Sequence, residues 1–232
     1  MDGGWHVQKA IKTWKHMFKL DPAKEIDDQS LKKICESNTD AIIVGGTDSI
    51  TYDGVLNLLR RLSKYDKPCI LEVSSMNAII AGFDYYFIPM VLNSQEKKWM
   101  MDIHHQAIKQ YKSFMDWNMI AMEGYCILNE QSKAYQKTNC FLPDDEDVIA
   151  YAHMAEHMFQ LPIFYLEYSG TYGDSELVRK VKRELNQTIL FYGGGIENIE
   201  QAKEMKQYAD VIIVGNSLYT NFDEALQTAE VE

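Results

Sequence analysis

The sequence is poor in cysteine, in basic charge and in long apolar runs, and each shortage removes a class of protein. Its four cysteines, Cys35, Cys69, Cys126 and Cys140, are scattered without a C-x-x-C pair. Two of them fall inside strand-like apolar runs, where a thiol behaves as a small hydrophobe, so the pattern points to a reduced, cytoplasmic protein. Lysine and arginine number 23 against 34 acidic residues, a net charge of −11. That balance repels a polyanionic backbone and leaves no basic stripe, which disfavours nucleic-acid binding. No apolar stretch reaches the roughly 18 residues of a membrane-spanning helix. The opening residues include Asp2, His6, Gln8, Lys9 and Lys12 and lack the apolar core of a signal peptide. Membrane contact is expected to be peripheral at most.

What is present is a regular alternation. Eight β-branched and aromatic runs end in polar or glycine punctuation, at 16–22, 40–47, 68–75, 85–93, 123–129, 161–170, 188–196 and 209–216. Helical periodicity fills most gaps, at 28–37, 52–65, 95–115, 144–159, 175–185, 199–208 and 222–229. Strands alternating with helices predict a parallel sheet, and eight of them predict an α/β fold closed as a (β/α)8 TIM barrel. A chain of 232 residues suits one such domain, 1–232, with 1–14 as an N-terminal extension. One gap is irregular: residues 76–84 are too few for a crossover helix and its turns, so the third helix is missing or replaced by a short extended segment. Its absence would open the outer ring beside Ile79, Ile80 and Phe83, where an elongated apolar ligand could lie; a shortened connection covered by a neighbour or a second subunit is the alternative. The polar stretch 131–143 reads as a loop, ordered or mobile, above the fifth strand.

The chemistry gathers at strand ends. Gly193, Gly194 and Gly195 close the seventh run and Gly215 and Asn216 the eighth. In a barrel, the loops after the last two strands form the usual phosphate cradle, in which bare backbone N–H groups and helix starts face the anion. Strand alternation places Met17, Lys19 and Asp21 on one face, pointing into the barrel. Isolated interior charges are costly, so Lys19 and Asp21 need partners, which a phosphate and a cation would supply; the alternative is a structural Lys19–Asp21 pair. The same parity groups Ile163, Tyr165, Glu167 and Ser169, while Glu72 interrupts the apolar third run. Glu167 is a candidate general base, and Tyr165 either a hydrogen-bond donor or packing. Thr47 offers an oxygen that could join Asp21 around Mg2+, or cap the next helix. His153, Glu156 and His157 match an H-x-x-E-H spacing, but they lie mid-helix in the outer ring, away from the strand ends where barrel sites form. The acidic run 144–147 reads as N-terminal capping of that helix.

The segments Phe18-Lys19-Leu20-Asp21-Pro22, Gly45-Gly46-Thr47-Asp48, Tyr165-Leu166-Glu167-Tyr168-Ser169-Gly170, Phe191-Tyr192-Gly193-Gly194-Gly195-Ile196 and Val214-Gly215-Asn216 occur in that order. With them the chain resembles the geranylgeranylglyceryl phosphate synthase superfamily, in particular its bacterial PcrB-type heptaprenylglyceryl phosphate synthases, from about Trp14 to the C-terminus. The resemblance implies a barrel lacking its third helix and a Mg2+-dependent transfer of a polyprenyl group from its diphosphate to sn-glycerol 1-phosphate. It implies that Lys19, Tyr165, Leu166, Glu167, Tyr168, Ser169, Gly170, Gly195, Gly215 and Asn216 form the glycerol-phosphate site. By the same resemblance Asp21 and Thr47 hold Mg2+, with Glu167 and Tyr165 catalytic, and the enzyme is a homodimer. The donor's length stays open between heptaprenyl and geranylgeranyl. Two other readings stay open as well: a sugar-phosphate isomerase or aldolase on the same glycine loops, and a barrel that has become a scaffold.

Overall fold

The structure is a computed structural model and describes residues 6–231. Eight strands are hydrogen-bonded in chain order into a closed parallel barrel: β1 His16–Leu20, β2 Ala41–Val44, β3 Cys69–Glu72, β4 Tyr85–Val91, β5 Ile120–Ile127, β6 Ile163–Glu167, β7 Ile189–Gly193 and β8 Val211–Val214. The ring closes through Met17 beside Ile213. Around and beneath it run α1 His6–Ile11, α2 Asp28–Glu36, α3 Tyr52–Leu62, α4 Ile103–Tyr111, α5 Lys133–Lys137, α6 Asp145–His153, α7 Ser175–Arg183, α8 Ile199–Lys206, α9 Ser217–Thr220 and α10 Phe222–Gln227. The predicted barrel is therefore the fold, and its eight runs are its eight strands.

Strand parity sorts the apolar side chains into two clusters. Met17, Ile43, Ile70, Phe87, Tyr165, Phe191 and Ile213 fill the interior. Phe18, Leu20, Val44, Leu71, Phe164 and Leu166 face the helices. Each fully buried aliphatic or aromatic side chain contributes ~1.5–3 kcal/mol relative to exposure. Helix starts are set by local side chains that satisfy orphan amides: Asp27 accepts from Gln29 and Ser30 at 2.9 Å, and Asp144 and Asp147 form a reciprocal capping box on α6, as the acidic run predicts. Thr51, not Thr47, caps α3, so the capping alternative for Thr47 falls away.

At three places the structure decides a sequence expectation, revising the first, meeting the second and refining the third. Within the supposed extension 1–14, residues 6–14 close the bottom of the barrel: Val7, Ile11 and Trp14 belong to the interior cluster, and Trp14 meets Tyr85 edge-on at 5.9 Å. Residues 1–5 lie outside the described residues. The connection after β3 holds only a single turn, Met76–Ala78, so the helix that should cross from β3 to β4 is absent, as predicted. Of the two forms open for the stretch 131–143, the structure shows the ordered one, a strap that contains α5 and pairs Cys140 with Ser94.

Missing a helix has a consequence for the next one. α4 follows a π-turn at Lys98–Asp102, and neither element has a buried residue. Instead of packing on a neighbour, α4 leans over the empty position and roofs a groove. Among the described residues no helix is long and apolar enough to cross a membrane.

Candidate active site

One cavity of about 1720 Å³ opens at the C-terminal ends of the strands and continues sideways under α4. Its head is polar and its extension apolar. Lys19, Asp21, Thr47, Tyr165, Glu167, Ser169, Gly170, Gly195, Gly215 and Asn216 all line it, so ten of the twelve residues singled out from the sequence converge. Leu166 and Tyr168 do not: they occupy the opposite parity of β6 and its loop, and their side chains are buried in the outer cluster. What they offer a ligand is main chain only. The extension is lined by Ile79, Ile80, Phe83, Ala107, Tyr111 and Met122, the gap expected beside the missing helix. Phe114 and Trp117 stand at its wall and are exposed, at 86% and 44%.

Lys19 is the electrostatic centre. Its ammonium sits 2.6 Å from Glu72 Oε2 and 3.9 Å from Glu167 Oε2, and it donates to the Tyr125 hydroxyl at 3.2 Å. The interior partner of Lys19 is thus Glu72, not Asp21 and not solely a ligand phosphate. Burial pulls the ammonium down, but the Glu72 and Glu167 charges outweigh it and hold its pKa above the ordinary lysine value. Tyr125 donates to Glu72 at 2.6 Å, and burial holds its hydroxyl well above the usual range.

Glu167 ends β6 in the cavity wall. Burial raises its carboxyl; Lys19 opposes that, Glu72 adds to it, and the Ser169 N–H and Tyr165 hydroxyl draw it back. The net result is a carboxylate with more than ordinary proton affinity, which suits a general base. The Ser169 N–H donates to Glu167 Oε1 at 2.7 Å, and Ser169 achieves this with φ +41, a left-handed conformation rare outside glycine. Strain of that kind is stored where geometry matters to function. Tyr165 is both packing and polar: its ring lies 4.4 Å from that of Tyr125, and its hydroxyl faces Glu167.

The glycine loops behave differently from the simple cradle expectation. Gly195 has φ +60, and a Cβ there would overlap the Tyr172 amide, so this glycine is demanded by the loop after β6 as much as by any anion. Asn216, beyond β8, accepts from Lys24 at 2.9 Å, and the Lys24 ammonium lies over the Tyr219 ring at 4.7 Å. Lys24 brings a cation to the cradle that the sequence reading missed.

Asp21 and Thr47 both line the head of the cavity, just beyond the ends of β1 and β2. The Ala23 N–H fixes Asp21 Oδ1 at 2.9 Å, and a Cβ at Gly46 would stand 2.7 Å from that same oxygen, so only glycine lets the β2 loop approach the carboxylate. A carboxylate and a hydroxyl lining one cavity mouth offer hard oxygens of the kind Mg2+ takes alongside phosphate oxygens and water. Among the described residues no three His, Cys, Asp or Glu side chains gather as a metal cage.

Glu123 was also missed. It is fully buried within β5, neither of its oxygens has a hydrogen-bond partner among the described residues, and burial with Glu72 nearby raises its pKa well above the ordinary value. The H-x-x-E-H spacing, by contrast, is structural: Glu156 accepts the backbone N–H groups of Asn186, Gln187 and Thr188 at 3.2, 3.0 and 2.9 Å, pinning the loop before β7.

The PcrB family model matches residues 9–231. The heptaprenylglyceryl phosphate synthase of Oceanobacillus iheyensis is 62% identical over 223 residues, 96% of this chain and 97% of that protein; that of Anoxybacillus flavithermus is 58% identical, over 95% and 96%. In shape the chain resembles the crystal structure of (S)-3-O-geranylgeranylglyceryl phosphate synthase from Thermoplasma acidophilum in complex with sn-glycerol-1-phosphate, with a TM-score of 0.84 at 24% identity over 97% and 94% of the two chains. With a family match across nearly its whole length and relatives of this similarity, the chain belongs to the PcrB family and is an enzyme of the prenyltransferase class.

Proposed function

We propose that this enzyme transfers a long polyprenyl group, heptaprenyl by the names of its relatives, from its diphosphate to the 3-hydroxyl of sn-glycerol 1-phosphate. The observation that carries the reading is the continuity of one cavity: a charged head at the strand ends runs without a break into an apolar groove where a barrel helix is absent. An isomerase or aldolase of small sugar phosphates has no use for that groove, and a scaffold has none for the interior charges Lys19, Glu72 and Glu167.

In this reading Gly195, Gly215, Asn216 and Lys24 hold the acceptor's phosphate and fix its 3-hydroxyl toward Glu167. The donor's C1–O bond breaks with its electron pair going to the departing diphosphate. The acceptor oxygen bonds to C1, and its proton passes to Glu167. Asp21 and Thr47 would hold Mg2+, which supplies positive charge to the leaving group. The apolar groove keeps water from the allylic centre. From the family resemblance we also infer a homodimer, which sedimentation would read as twice the 26.8 kDa chain.

The test is incubation with radiolabelled glycerol 1-phosphate, Mg2+ and prenyl diphosphates of graded length. A labelled ether lipid, absent without Mg2+, is the expected product. Label that stays water-soluble with every donor would sink the proposal.

A further inference from the structure

Two anions must share the mouth of this cavity if the reading above holds, and the protein's cations are divided unequally between them. The acceptor's phosphate site lies at the ends of β7 and β8, where Lys24 is fixed by Asn216. The groove for the tail starts on the other side, over β3 and β4, so the diphosphate head belongs at the rim of β2, beside Thr47 and Asp48. Lys19 is not free to serve there, since Glu72 and Glu167 already neutralise it.

Across that rim lies α5. Its Lys133 and Lys137, four residues apart, share one helical face. Both line the cavity, and both reach the same carboxylate: Lys133 Nζ is 3.3 Å from Asp48 Oδ2 and Lys137 Nζ 3.9 Å from Asp48 Oδ1. Lys137 also donates to the Thr47 carbonyl. Two ammonium groups on one carboxylate leave one positive charge uncompensated, in a chain whose net charge is −11. The strap reaches from β5 across to β2, which brings these charges over the polar head.

We propose that Lys133 and Lys137 are the donor's diphosphate-binding residues, resting on the reaction assigned above. Asp48 holds them in place in the free enzyme, and the incoming diphosphate takes over their surplus charge as the strap seats on it. Charge-assisted hydrogen bonds to phosphate oxygens are the strong ones, so the pair both binds the donor and draws the leaving group away from C1.

The test uses the full chain carrying Lys133→Met and Lys137→Met together, with inorganic diphosphate as probe in titration calorimetry, with and without Mg2+. The double variant is expected to bind inorganic diphosphate about tenfold to hundredfold more weakly. Glycerol 1-phosphate affinity should be unchanged, and the donor KM should rise while the acceptor KM does not. Lys137→Arg in the Lys133→Met background should recover part of the loss. Unchanged diphosphate affinity, or equal weakening of both ligands, overturns the assignment. If the wild type binds diphosphate through these lysines yet transfers no prenyl group, the functional reading fails and the anion subsite stands; if transfer proceeds and the double variant binds diphosphate normally, only the subsite fails.

Discussion

Burial lifts the Glu167 carboxyl, and Lys19 with the Ser169 amide limits how far, leaving a base that holds a proton more tightly than an exposed glutamate. Glu167→Gln keeps the shape and the Ser169 contact but cannot accept the proton. We expect kcat to fall about 10²–10⁴-fold, with glycerol 1-phosphate affinity measured by calorimetry nearly unchanged; equal loss of both would make Glu167 a ligand rather than a base. Because the reactive form is ionised, kcat/KM should fall as pH drops through the raised pKa, placing the acid limb of the profile above the ordinary glutamate range. Glu123 carries the opposite consequence. Its folded pKa exceeds its unfolded one, so its contribution to stability is present below the ordinary glutamate pKa and is lost as pH rises through the folded value. Glu123→Gln removes that titration: melting temperatures should come closest to the wild type at pH 4, below the ordinary glutamate pKa, and exceed it at pH 9. A wild type that is no less stable than the variant at pH 9 would mean that Glu123 is not the titrating group.

At the scale of elements, strand parity carried most of the site, because a period of two puts Lys19 and Glu167 inside as surely as it puts Phe18 and Leu166 outside. The same parity was not carried through to Leu166 and Tyr168, whose placement came from a contiguous motif rather than from their faces. Glu123 escaped for a boundary reason: the fifth run reads as starting there, whereas β5 begins three residues earlier at Ile120 and buries the glutamate in mid-strand. Lys24, Lys133 and Lys137 escaped because their partners, Asn216 and Asp48, are distant in sequence, and no local pattern records a contact across a barrel mouth. α1 was illegible for a similar reason, since six residues offer little periodicity and its partners are the ends of strands. Its anchoring is testable. Trp14→Ala should destabilise by ~3–5 kcal/mol as a large-to-small core change, lowering the melting temperature by roughly 6–20 °C at 2–4 °C per kcal/mol for a chain of this size. A shift under about 2 °C would show that the plug contributes little to the barrel.

For the whole molecule, the missing helix links fold to substrate. A barrel that lacks one outer helix exposes apolar surface it must cover, and here α4 spans the gap without filling it, leaving room under Ala107 and Tyr111. Burying hydrocarbon contributes ~0.8 kcal/mol per CH2, so each added isoprene unit that stays within the groove adds up to roughly 4 kcal/mol before the entropy of ordering it. Affinity for the donor should therefore rise steeply with its length and level off where the groove ends. Ala107 is the place to move that limit, because it projects from α4 into the groove and is itself only half-buried. Ala107→Trp should leave glycerol 1-phosphate binding and transfer from the shortest donors intact while shifting the plateau to shorter chains, read as kcat/KM across a donor series. If the plateau does not move, or if all donors suffer alike, the tail does not run beneath α4, and the gap in the ring serves the fold rather than the substrate.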